Sequence, residues 1–347
     1  MKAVKTEILN VKDLNVNYKN IVKGAEYLRK GEVVAIPTET VYGLAADAFN
    51  ENAIKKIFEV KGRPQDNPLL VHIYKLEQVY DICKDISKET KKIFDAFWPG
   101  SVTLIFNKKD CISDTVTAGM KTVGVRFPES KIARAIIKES RTLLVAPSAN
   151  LSGKPSTTSA EHCYNDLNGK IPCILDGGPC SIGLESTIID MSTSAPVLLR
   201  PGAISLDDIR NVIPNLIYKK DLLSVKGNEV PKAPGMKYRH YAPDAPVTLV
   251  EGDYTKTSQW IKENAKEDNA VICFQEFLND FKSCQHIYSL GSFKTLNTAA
   301  QKIFDLLRKC DKLNVNHIYI QAPNDRGLGN SIINRLEKAS AGDIIHI

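Results

Sequence analysis

Aromatic residues make up only 7% of this 347-residue chain, and none of its eight cysteines stands in a Cys-x-x-Cys pair. The first deficit argues against a reader of single-stranded nucleic acid, which needs rings interleaved with cations. The second removes the zinc ribbons and redox centres that such pairs build. A zinc site from His162, Cys163, Cys173 and Cys180 has spacings that match no standard pattern. No stretch approaches the roughly 18 apolar residues of a membrane span. The start, Met1-Lys2-Ala3-Val4-Lys5, has no apolar export core. The expectation is a cytoplasmic protein with no membrane partner and reduced thiols. Gly-x-x-x-x-Gly-Lys-Ser/Thr and Gly-x-Gly-x-x-Gly are both missing, so a bound nucleotide is not held by a P-loop or an ordinary dinucleotide turn. Serine-hydrolase and metalloprotease signatures are missing too.

What remains is an ordinary globular composition, 43% hydrophobic and 25% charged, at a length that suggests two domains. Up to about residue 213 helical and strand patterns alternate. Helix Tyr18–Lys30 precedes strand Val33–Ile36, and helix Glu51–Val60 precedes strand Leu69–Ile73. Strands crowd together between residues 171 and 200, too closely for simple βαβ repetition, so a twisted mixed sheet is expected. Pro214, Pro231, Pro234, Gly235 and Pro243 then punctuate a basic segment. From Pro246 onward strands alternate regularly with helices, as in a small, largely parallel sheet. The domains expected are 10–213, a linker over 214–243, and 244–347.

Charge follows these boundaries. The net charge is +6, yet residues 244–347 hold 12 Lys/Arg against 13 Asp/Glu. Positions 219–240 alone carry six cations (Lys219, Lys220, Lys226, Lys232, Lys237 and Arg239) against Asp221 and Glu229. Such a stretch is either a solvated connector or a cover for an anionic ligand.

Two turns carry most of the chemistry. Lys61-Gly62-Arg63-Pro64-Gln65-Asp66-Asn67-Pro68 is read as a cationic loop entering an apolar strand, and Pro147-Ser148-Ala149-Asn150 follows another strand. Fixed cations beside a hydroxyl and an amide suit a polyphosphate. Arg63, Arg126 and Arg200 stand at strand ends with hydroxyls from Thr40, Ser148 and Ser186, which points to one lined cavity. Three guanidiniums could grip a triphosphate and a carboxylate bidentately. His72, after Leu69-Leu70-Val71, is either a satisfied core histidine or a substrate contact.

Pro37–Leu44, Lys61-Gly62-Arg63 with Asn67-Pro68-Leu69, Ser148-Ala149-Asn150, Ser186-Thr187-Ile188 and Arg200-Pro201-Gly202 together resemble the YrdC-like family. Pro234-Gly235-Met236-Lys237-Tyr238-Arg239-His240-Tyr241 resembles the linker of its two-domain threonylcarbamoyl-AMP synthases. The resemblance covers nearly the whole chain. It implies an α/β fold: a YrdC-like catalytic domain with a twisted mixed sheet, then a small Rossmann-like domain. It also implies a nucleotidyltransferase that joins L-threonine, bicarbonate and ATP into threonylcarbamoyl-adenylate with release of pyrophosphate. A separate transferase would then use the adenylate to form N6-threonylcarbamoyladenosine beside the tRNA anticodon. By the same match, Lys61 and Arg63 are the catalytic cations. Arg63, Asn67, Thr122, Ser148, Asn150, Thr158, Arg200 and Tyr238 face ATP; Thr40, His72, Arg126, Ser148 and Ser186 face L-threonine. Magnesium is expected on the ATP phosphates, without a protein metal site.

Two other readings stay open at this level. One is a non-catalytic RNA-binding module, and even with catalysis the basic segment allows weak tRNA or RNA binding. The other keeps the fold but changes the acceptor, as in carbamoyl transfer during hydrogenase maturation. The segment over 214–243 is further expected to act as a lid, with Gly235 as hinge.

Overall fold

The computed structural model describes residues 4–347 apart from 220–222, 224–230, 237–239, 283 and 314. The chain forms two compact units. The first holds Met1–Ser152, Ser156–Ser181 and Glu185–Lys237; the second holds Gly153–Pro155, Ile182–Leu184 and Tyr238–Ile347.

In chain order the first unit builds β1 (Glu7–Asn10), α1 (Leu14–Arg29), β2 (Val34–Ile36), β3 (Gly43–Asp47), α2 (Glu51–Lys61) and β4 (Leu70–His72). Next come α3 (Gln78–Ile82), α4 (Lys88–Phe97), β5 (Val102–Asn107), α5 (Asp114–Thr117), β6 (Thr122–Arg126) and α6 (Lys131–Ser140). It ends with β7 (Leu144–Val145), α7 (Ala160–Leu167), β8 (Cys173–Asp176), β9 (Thr187–Asp190), β10 (Val197–Arg200) and α8 (Leu206–Val212). The strands make one sheet in the order β1-β8-β2-β3-β7-β4-β6-β5-β9-β10. It is mixed, as expected: β4 runs parallel to β6, while β6 runs antiparallel to β5.

Both faces of the inner strands are covered, so these are apolar runs rather than alternating ones, while the edge strand β1 alternates in exposure. Ile54, Ile57 and Phe58 of α2 pack with Val71, Leu104 and Val125 of the sheet in one cluster. On β5 the polar exception is Thr103, fully buried in the middle of Val-Thr-Leu-Ile-Phe. α1 begins at Leu14, earlier than the periodicity suggests, because the Asp13 carboxylate caps the Asn15 N–H. β3 lies where the sequence pattern marks no strand. Gly43-Leu44-Ala45-Ala46 has little intrinsic strand preference, and pairing with β2 and β7 supplies it.

The second unit builds β11 (Val247–Glu251), α9 (Tyr254–Asn264), β12 (Ala270–Cys273), a 3₁₀ turn (Gln275–Phe281) and β13 (His286–Ser289). α10 (Asn297–Leu313), β14 (Ile318–Gln321), α11 (Leu328–Ala339) and β15 (Ile344–His346) complete it. Its sheet order is β13-β12-β14-β11-β15, and each described pairing is parallel.

Candidate active site

The cationic loop starts on a helix. Lys61 is the last residue of α2, and Gly62 ends that helix in the left-handed region at φ +61°. A side chain there would be strained, so glycine lets the chain reverse directly after the lysine. Lys61 is thereby buried, and its Nζ donates to the carbonyls of Ser148 and Asn150, 2.5 Å from each. The lysine therefore braces the second polar turn from behind. Arg63 folds back onto its own loop, Nη2 donating to the Pro68 carbonyl at 3.1 Å and Nε to that of Asn67 at 3.4 Å. Asn67 is buried, and its Oδ1 accepts no hydrogen bond.

The Ser148 turn is also tied to β3. The Ala149 N–H donates to Tyr42 O at 2.8 Å and the Leu44 N–H to Pro147 O at 2.7 Å. Thr158 reaches the same neighbourhood: the Tyr42 N–H donates to the carbonyl of Thr157, its neighbour, and Thr158 Oγ1 lies 3.3 Å from His162 Nδ1. Thr122 opens β6. It pairs with Asn107 at the end of β5.

A second row crosses the sheet at the other end of β4. His72 pairs with Arg126, and Arg126 with Thr103. Thr103 Oγ1 lies 2.7 Å from Ser186 Oγ. Arg200 grips the same serine: Nε and Nη2 donate to the Ser186 carbonyl at 3.1 and 2.8 Å, and Nη2 to its hydroxyl at 3.2 Å. Cross-strand partners point to one face, so four strands deliver this polar row.

Thr40, in the turn after β2, and His72, in the row, have their proton order fixed. Thr38 Oγ1 donates to Val41 O at 2.6 Å and accepts from the Thr40 N–H at 3.2 Å. The Thr40 hydroxyl, 3.0 Å away, then donates to Thr38 and keeps its own lone pairs for an incoming donor. His72 Nδ1 lies 3.2 Å from Leu70 O, which assigns the proton to Nδ1 and leaves Nε2 an acceptor. Burial, with the Arg126 charge adding to it, pushes its imidazole down to about 3. At neutral pH His72 is an uncharged acceptor.

Arg126 is held by a residue to which the sequence reading assigned no role. Its Nη2 donates to Glu39 Oε1 at 2.6 Å, with both side chains about 6% exposed. Burial raises the Glu39 carboxyl, but the Arg126 charge and the hydrogen bonds outweigh it and leave the group below the usual carboxylate range. Glu39 sits inside the Pro37-Thr38-Glu39-Thr40 motif. Its signal was a carboxylate directly after a buried strand, in need of a cation.

Of the expected site residues, Tyr238 lies outside the described residues. Lys61, expected on a loop, is a helix C-terminus. Arg63 and Asn67 share the loop that follows Lys61, which ties that loop to Ser148 and Asn150. His72, Arg126, Ser186 and Arg200 line the row, Thr40 adjoins it through its neighbour Glu39, and Thr122 lies at the start of β6 opposite Asn107. Among the described residues no group of three or more His, Cys, Asp or Glu could hold a metal ion. His162, Cys163, Cys173 and Cys180 form no such group. Among the described residues, no helix is long and apolar enough to cross a membrane.

The family model Sua5_yciO_yrdC, described as telomere recombination, matches residues 26–202, and that of the threonylcarbamoyl-AMP synthase C-terminal domain matches residues 204–341. The chain belongs to the Sua5–YciO–YrdC family. Within this family it is 44% identical to threonylcarbamoyl-AMP synthase of Bacillus subtilis strain 168, over 96% of each chain. It is 42% identical to that of Pyrococcus abyssi, over 99% of this chain and 100% of the relative. The crystal structure of P. abyssi Sua5 complexed with L-threonine matches at a TM-score of 0.92 and 42% identity, covering 98% of this chain and 99% of that one. The family fold also extends to Escherichia coli YciO, at a TM-score of 0.50 and 22% identity.

Proposed function

We propose that this protein makes L-threonylcarbamoyl-adenylate from L-threonine, bicarbonate and ATP, releasing pyrophosphate. The product serves N6-threonylcarbamoyladenosine formation in tRNA. The observation that carries the reading is full-length similarity, 42–44% identity, to threonylcarbamoyl-AMP synthases in both parts of the chain. A solved relative of the same two-part build is complexed with L-threonine.

The chemistry is a positioning problem. The unprotonated amine of threonine combines with bicarbonate, losing water, to form a carbamate. A carbamate oxygen then bonds the α-phosphorus as the bond to pyrophosphate breaks. Such a reaction needs three aligned reactants and charge stabilisation, and no protein nucleophile. Arg63 and Lys61 supply positive charge beside the turn of Ser148 and Asn150. Asn67, Thr122, Ser148, Asn150, Thr158, Arg200 and Tyr238 bind the nucleotide in this reading. The unmet Asn67 Oδ1 offers an acceptor to it. Arg126 takes the threonine carboxylate. Thr40 and His72 accept from its amine and hydroxyl, with Ser148 and Ser186 completing the pocket. The donors here are guanidinium, amide and hydroxyl, which fits magnesium carried in on the ATP phosphates, where it neutralises charge.

The segment over 214–243 acts as a lid in this reading. Ala233 and Met236 are buried with Leu70, Ile105, Ile188 and Leu199. Arg200 Nη1 donates to Pro234 O at 3.4 Å, and Lys232 pairs with Asp190 at 3.0 Å. This stretch is therefore seated on the strands that carry the polar row. A separate tRNA threonylcarbamoyl transferase is the proposed recipient of the adenylate, in the cytoplasm, and weak RNA contact through the basic stretch is a secondary proposal.

Pyrophosphate release tests the activity. It should require threonine and bicarbonate together, and release independent of either would refute the reading. A non-catalytic RNA module would release none.

A further inference from the structure

Glu39 belongs to neither substrate set proposed above, yet donors from three separate elements converge on it. It lies in the turn after β2. Oε1 accepts from Arg126 Nη2 at the end of β6 and from Ser101 Oγ, just before β5, at 3.3 Å. Oε2 accepts from the backbone N–H of Ser130, the cap of α6, at 3.1 Å. The residue is buried, and its three donors answer the cost of burying the carboxylate.

The same network reaches the neighbouring pocket wall. The Ser101 carbonyl accepts from the Thr187 N–H at 3.0 Å, directly after Ser186. The Ser130 hydroxyl meanwhile caps Ala133 N at 3.2 Å and so fixes the start of α6. Glu39 is thus clamped before any ligand arrives, and Arg126 inherits its orientation from that clamp. Only one nitrogen of the guanidinium, Nη2, is bonded to Glu39. Arg126 Nε is buried and donates no hydrogen bond. A buried donor left unmet by the protein is the kind of group a ligand acceptor completes.

We infer that Glu39 is a positioning residue for the amino-acid substrate. By holding Arg126 through Nη2 it presents the remaining guanidinium edge, Nε included, to the substrate carboxylate. It also balances the Arg126 charge, so that the guanidinium is tolerated in the empty pocket. Glu39 itself touches no substrate. The inference rests on the reading of Arg126 as the carboxylate partner.

The test compares Glu39→Gln, Glu39→Asp and the wild type in the full-length chain. Glu39→Gln keeps the size and an acceptor but removes the charge that fixes Arg126. Its threonine KM should rise by ~10-fold or more, the scale of a small misplacement of a binding group. Turnover at saturating threonine and the KM for ATP should stay within about threefold. Glu39→Asp, with the charge kept but set back by one methylene, should recover part of the loss. A folded Glu39→Gln with wild-type threonine KM overturns the inference. So does one in which ATP and threonine binding fall together, since that marks a merely structural role. If Glu39→Gln does not fold, Ser101→Ala with Glu39→Asp reads the same clamp, and an unchanged threonine KM in both overturns it. A wild-type chain that neither binds nor consumes threonine refutes the proposed function itself, and this inference with it.

Discussion

Lys61→Ala separates bracing from simple charge supply. The side chain is 3% exposed and its Nζ bridges the carbonyls of Ser148 and Asn150, each at 2.5 Å. Hydrogen bonds to a charged group are each worth about 1.5–3 kcal/mol. Two of them total about 3–6 kcal/mol, and water entering the vacated space returns part of it. A net loss of ~3 kcal/mol lowers the melting temperature by roughly 6–12 °C in a unit of this size. Freed of its brace, the turn shifts and carries Ser148 and Asn150 with it, so pyrophosphate release should also fall by ~10²-fold or more. Arg63→Ala offers the contrast. Arg63 donates to the Pro68 and Asn67 carbonyls of its own loop at 3.1 and 3.4 Å, longer contacts than those of Lys61, so turnover should fall by ~10²-fold with a smaller change in melting. Thermal melts followed by circular dichroism, run beside the release assay, measure both. Melting of Lys61→Ala within ~2 °C of wild type would refute the bracing argument, and wild-type turnover in either variant would refute the charge argument.

A site with acceptors at Thr40 and His72 should read the threonine hydroxyl, so 2-aminobutyrate should react more slowly than serine and both more slowly than threonine; equal rates for threonine and 2-aminobutyrate contradict this. Arg126→Ala should raise the threonine KM chiefly, which steady-state kinetics can show. His72 sits at about 3 in the folded chain against an ordinary 6.5, so the unfolded state binds more protons between those values. Stability should therefore fall as pH drops below ~6.5, by up to about 1.4 kcal/mol per unit, and urea titrations of His72→Gln should show a flatter acid limb. With ATP and threonine bound, trypsin should cut at Lys232 more slowly than in the free chain, whereas an equal rate would leave the 214–243 segment a tether.

Sequence pattern and structure agree where a run carries its own signal. Helices Lys88–Phe97, Ala160–Leu167 and Leu328–Ala339 occupy the residues their periodicity marks, and strand Thr187–Asp190 does likewise. β1 and β3 escaped because their strand character comes from partners. Glu7–Asn10 is a four-residue edge strand completed by β8, and Gly43–Asp47 is built of small residues framed by β2 and β7. The candidate site divides the same way. Which residue types could serve a triphosphate and an amino acid was legible, because arginines and hydroxyls at strand ends are costly to keep without use. Which of them meet was not. Arg126 and Glu39 are 87 positions apart, as are Lys61 and Ser148, and the pairing of β3 with β7, β7 with β4 and β4 with β6 closes those distances. A loop reading of Lys61 followed from Gly62 and Pro64 alone. The helix wins because Asn50 caps its start and Ile54, Ile57 and Phe58 bury its face. Those two facts carry the lysine to the last turn, where the helix dipole favours a cation. Its position beneath the Ser148 turn is therefore a property of the packed helix, and substitutions that loosen the packing of α2 should weaken the site without touching a polar residue.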